Sequence, residues 1–165
     1  MPFWLFITVQ WLHVFGGIFW FGSRLVVTLV LLPTMRKVSQ ANQHVFVGEM
    51  IRHFVRVEPA LGVATLILGI LRGTLFGQVV SPAIAFGTPY GLTWTAALAL
   101  GVVIAILGGL VGGSFMRLQA IPVKGDTSSQ AAYDQQLGKT ETFSRLSLAL
   151  FVLIFTCMIL MRFGY

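Results

Sequence analysis

In the segment WLHVFGGIFWFGSRLVV, residues 11–27, four residues able to support chemistry recur at helical spacing: His13, Gly17, Trp20 and Arg24. Steps of four, three and four place them on one face of a helix, and Val27 and Leu31 continue the stripe. Almost all the rest of the segment is apolar, so the imidazole and the guanidinium are expensive to bury unless the interior gives them partners. Polar groups in a membrane helix face the interior of the bundle, so this stripe is predicted to face the other helices.

Imidazole is an axial ligand of haem iron. Gly16 and Gly17 leave room beside it for a flat macrocycle, and Trp20 can stack on one or donate its indole N–H. Arg24, or another arginine near the membrane edge, suits a propionate. His13 and Arg24 are eleven residues apart, about 16 Å along a helix, which is a long reach. The stripe has plainer readings too. His13 can hydrogen-bond to a neighbouring helix, or serve a copper or proton role. Gly16 and Gly17 can let helices pack closely. Arg24 can snorkel to the interface.

Other residues are candidates of a second rank. His53 reads as a ligand of a second haem, as a lower-ranked second ligand beside His13, or as a headgroup-zone histidine, and His44 as solvated. Met158 and Met161 lie in the half of the membrane where His13 lies, and read as a second axial ligand or as packing. Glu58-Pro59 reads as the opening of a span, with Arg56 and Glu58 as an interfacial charge cluster or a proton relay. Cys157 is alone, which excludes an internal disulfide and a multi-cysteine metal site.

The elements that position these residues follow from composition. The 165 residues are 56% hydrophobic and 10% charged, with a mean hydropathy of +0.87; a soluble domain carries about 25% charged residues. The solvent is therefore a lipid bilayer. About 20 apolar residues cross it, and four segments qualify, near 3–32 (stopped by Pro33), 54–71, 91–115 and 143–161. The first is too long for a signal peptide and lacks a basic leader. The predicted fold is an all-α integral membrane protein, a single four-helix bundle, with a polar loop at about 119–142. HFVRVEPALGV (53–63) aligns with TFSRLSLALFV (142–152) at Phe, Arg, Ala and Leu, as a duplicated helical hairpin would, although membrane helices share a small alphabet.

The net charge of +6 sits at segment ends and not in an aromatic-interleaved patch, which argues against nucleic acid. Arg36, Lys37, Arg52 and Arg56 flank the first connection; Arg117, Lys124, Lys139 and Arg145 flank the third. The positive-inside rule then puts both connections in the cytoplasm and both termini outside, in a bacterial inner membrane.

LHVFGGIFWFGSRLVVTLVLLPTM resembles the first helix of the CopD-like and HemJ-like membrane proteins over about thirty residues, through Leu12-His13, Trp20-Phe21 and Gly22. FVRVEPALGVATLILGILRG and FSRLSLALFVLIFTCMILM are similar to that superfamily's even-numbered helices. The resemblance implies a four-helix bundle holding haem b through His13. It implies protoporphyrinogen oxidation for HemJ-like members and copper uptake or resistance for CopD-like ones. PYGLTWTAALALG has Trp94 but lacks the His and Lys of a HemJ-type third helix, and the chain has no Met-rich or His-rich cluster for copper. The sequence therefore favours electron transfer, with a quinone, a redox partner protein or a larger membrane complex, over oxidase or copper activity. A homo-oligomer and a cofactor-free assembly subunit remain open.

Overall fold

Four long helices, each long and apolar enough to cross a membrane, make up the computed structural model, which describes residues 2–122 and 126–165. Lys124, one of the basic residues of the third connection, lies outside them. No strand occurs among the described residues. The chain is an all-α bundle. α1 (Phe3–Val26) runs through a π-helical turn (Val27–Leu31) into α2 (Leu32–Met35), and together they form the first span. α3 (Gln40–Gly73), a short α4 (Pro82–Gly87), α5 (Pro89–Ala120) and α6 (Thr127–Arg162) follow. One end of the bundle carries both termini and the α3–α5 link. The other, the loop end, carries the two basic connections.

Several boundaries differ from the sequence expectation. Pro33 does not stop the first span; it sits in the first turn of α2. Proline has no N–H to give the carbonyl four residues back, and the wide π turn just before it absorbs that mismatch. Glu58-Pro59 is not in the first turn of a helix either, because α3 starts at Gln40 and Pro59 lies inside it. The polar stretch 119–142 is mostly helix. Asp126 caps α6 by accepting from Ser129 N at 2.8 Å, and the helix runs on from Thr127.

The core has two apolar clusters. The one toward the loop end joins Val27, Leu32, Met35, Val47, Phe115, Leu118, Tyr133 and Leu137. The other joins Trp20, Ile104, Phe151 and Ile154. Outward-facing side chains such as Trp11, Phe15 and Phe19 are exposed, as lipid-facing positions should be. The glycines of α3 set how closely it meets α1. A Cβ at Gly62 would stand 2.9 Å from the Trp20 ring, and one at Gly69 would stand 3.0 Å from His13 Cε1.

Candidate functional site

His13 is half-buried on the inner face of α1, above Gly69 of α3. Its Nδ1 lies 3.0 Å from the carbonyl oxygen of Thr65. A carbonyl oxygen only accepts, so Nδ1 carries the proton and donates. In the neutral ring that leaves the lone pair on Nε2. The bond ties α1 to α3 and leaves Nε2 without a protein partner among the described residues, an orientation that metal-ligating histidines share.

His13 forms part of the wall of a cavity of about 520 Å³ in the termini half of the bundle. Ligand sites typically measure about 300–1,000 Å³. Gly17 and Trp20 line the same cavity, as do Met158 and Met161 of α6. The rest of the wall is largely apolar and aromatic, including Trp94 and Phe155. Gly73 accommodates the Trp94 indole, which a Cβ there would overlap.

Two arginines line this cavity, and neither is Arg24. Arg72 donates from Nε to Gln10 Oε1 and from Nη1 to Phe76 O at 3.1 Å, and its guanidinium lies 4.7 Å from the Phe6 ring centroid. Arg162 is the second. Arg24 lies one turn beyond Trp20, completely buried, and donates from Nη2 to Glu58 Oε1. It therefore does not snorkel, because a carboxylate inside the bundle holds it. Glu58 for its part is no member of a surface cluster with Arg56: it is buried, whereas Arg56 is exposed. Gly108 of α5 makes room for this ion pair, since a Cβ there would stand 3.0 Å from Arg24 Nη2.

The remaining histidines lie elsewhere. His53 is exposed beside Glu49, at 3.7 Å, on the loop-end half of α3 and outside the cavity. His44 is not simply solvated. It is half-buried, with Nε2 2.8 Å from Gln119 O, and joins α3 to α5. No group of three or more His, Cys, Asp or Glu side chains able to hold a metal occurs among the described residues.

The structure thus brings His13, Gly17, Trp20, Met158 and Met161 to one cavity and sets Arg24 and His53 outside it. Sequence reasoning missed Thr65, Gly69 and Arg72 as site residues, and it named Glu58 without its partner Arg24. One signal for the α3 members was available: Gly62, Thr65, Gly69 and Gly73 recur at spacings of three, four and four. Comparison with family models, curated proteins and solved structures returns no match.

Proposed function

We propose that this protein binds haem b in the cavity beside His13 and takes part in membrane electron transfer, alone or as a subunit of a larger complex. The observation that carries this reading is the oriented imidazole. Nδ1 is committed to Thr65 O, and the ring is seated on Gly69, so Nε2 is available on the wall of a large apolar cavity.

The residues present fit the group. His13 would hold the iron through Nε2. Met158 or Met161 is placed on the same cavity and offers a thioether as second ligand. Arg72 and Arg162 supply cationic partners for propionates, the role that the sequence had offered to Arg24. Trp20, Phe151 and Phe155 provide apolar walls that exclude water. When bound, haem supplies reversible one-electron chemistry. The chain's part is to fix the imidazole, neutralise the carboxylates and keep the site dry.

The charge distribution supports an orientation with the loop end in the cytoplasm of a bacterium and the termini outside. A quinone or a redox protein at the termini side would be the natural electron partner. A HemJ-like oxidase or a CopD-like copper role has less support.

The test is a reduced-minus-oxidised visible spectrum of the protein purified in detergent. A sharp α-band that vanishes in His13→Ala is expected. A colourless preparation of full thermal stability would overturn the reading and leave His13 as a helix-to-helix tie, which its bond to Thr65 already makes it.

A further inference from the structure

Between the two apolar clusters lies a polar layer that the cavity does not use. Arg24 is completely buried, and Glu58 satisfies one of its nitrogens; Nε and Nη1 have no partner among the described residues. Across the layer, Ser147 of α6 is also completely buried, and its Oγ lacks a partner. These groups are level with each other. Trp20 meets Phe151 with ring centroids 5.0 Å apart, and Thr28 Oγ1 meets Ser144 Oγ at 2.7 Å. Along this antiparallel pair, Arg24 therefore falls opposite Ser147. Buried donors without protein partners are satisfied by bound water.

The pattern extends toward the loop end. Ser129, Tyr133, Gln136, Thr140, Ser144 and Ser147 follow on α6 at spacings of four, three, four, four and three, so they share one face. All but Gln136 are buried. Tyr133 OH and Gln136 Nε2 are buried without partners, like Ser147 Oγ. Successive members are one turn apart, about 5.4 Å. Hydroxyls at that separation are too far apart to bond directly, but one water with two bonds of about 2.8 Å spans it. At its outer end Ser129 lines an open depression with Arg117 and Pro122. At its inner end Arg24 stops beneath Trp20 and Phe151, which form the nearest wall of the His13 cavity.

We propose that this face of α6 carries a file of bound water that conducts protons from the loop end to the Arg24–Glu58 pair, with Trp20 and Phe151 closing it off from the cavity. Each water accepts a proton from one neighbour and passes one to the next, so no net bond is made or broken. The ionisable groups along the file are Arg24 of α1, Glu58 of α3 and Tyr133 of α6. α5 contributes Gly108 at the pair's level and, toward the loop end, Ser114 beside the buried apolar Val111, Phe115 and Leu118; its Arg117 lines the depression at the mouth, and the Arg36–Glu141 pair stands at the level of Thr140. The inference does not depend on haem.

Two measurements test it. The first is a structure of the wild-type protein in lipid at a resolution that shows ordered water. Density bridging Arg24 to Ser147 and Ser147 toward Tyr133 is expected, and a dry Arg24 overturns the proposal. The second is proton flux into vesicles carrying a trapped pH-sensitive dye, driven by a potassium diffusion potential. Wild type is expected to be as tight as protein-free vesicles, Trp20→Ala to leak several-fold faster, and Trp20→Ala with Ser144→Val to be tight again. A natively folded Trp20→Ala that stays tight also overturns the path. Should Trp20→Ala fail to fold, the wild-type water map decides alone.

Discussion

Gly69 positions His13 by having no side chain. A Cβ there would stand 3.0 Å from Cε1, so Gly69→Ala must turn the imidazole or push α1 away from α3. With haem bound as proposed, the expected result is a folded protein whose haem content falls several-fold, measured as the ratio of pigment to protein; full occupancy would show that the ring's seat is not needed. Arg24 and Glu58 make a different argument. Glu58→Gln leaves a guanidinium buried without its counter-charge, and the loss should be about 3–5 kcal/mol. Replacing both by Met removes both charges and should recover most of that. Thermal midpoints of the three proteins in detergent check the pair, and a Glu58→Gln as stable as wild type would deny it a structural role. At this scale the sequence was informative in one direction only. The period of α1 put His13, Gly17, Trp20 and Arg24 on one inward face, because periodicity is local. What meets that face is not local. Glu58 is 34 residues from Arg24, and Thr65 is 52 from His13. Only the small-residue spacing of α3 left a trace of the match.

The helices themselves were legible where they are apolar and illegible where their buried face is polar. Residues 127–142 look like a loop by hydropathy, yet Ser129, Tyr133, Leu137 and Thr140 turn inward once per turn and make the stretch helical. The signal was periodicity in hydroxyl groups rather than in apolar ones. The aligned pair of segments gains physical content as well. Phe54 and Phe143 both pack on the loop-end cluster, Leu61 and Leu150 both pack on the Trp20 cluster, and Arg56 and Arg145 are both exposed. Continuing the same offset places Glu58 opposite Ser147 in the alignment, the two α3 and α6 positions at the polar layer. The start of α6 depends on Asp126, whose carboxylate accepts from the side chain and the amide of Ser129 and, at 3.2 Å, from Ser128 Oγ. These bonds hold its pKa below the ordinary 3.8. A depressed carboxylate stabilises the fold above its unfolded value and loses that contribution as pH falls through the folded one. Asp126→Ala is therefore expected to speed amide exchange in the first turn of α6 at neutral pH. The difference from wild type should close only when the pH drops below the usual carboxylate value. A difference that does not depend on pH would mean that the charge of Asp126 plays no part in the cap.

Over the whole molecule, charge divides by end. Arg36, Lys37, Arg52, Arg56, Arg117, Lys139 and Arg145 are all exposed toward the loop end. Arg72 and Arg162 are at the termini end, where both line the cavity, and Arg24 is inside. The two arginines at the termini end thus line a site, while the basic residues at the loop end, some of them paired with Glu49 or Glu141, face outward where they can meet anionic headgroups and set direction. An even number of spans puts both termini on one side, so one labelling experiment fixes the orientation of all four helices. In a Cys157→Ser background, Phe163→Cys should react with a membrane-impermeant maleimide in intact cells whose outer barrier has been opened. Lys37→Cys should react only after the inner membrane is breached. The reverse pattern would place the cavity end of the bundle in the cytoplasm, and the electron partner of the proposed haem would then have to be sought on that side. The same result would turn the file of hydroxyls on α6 toward the outer side, so that the proposed path would bring protons to Arg24 and Glu58 from that side.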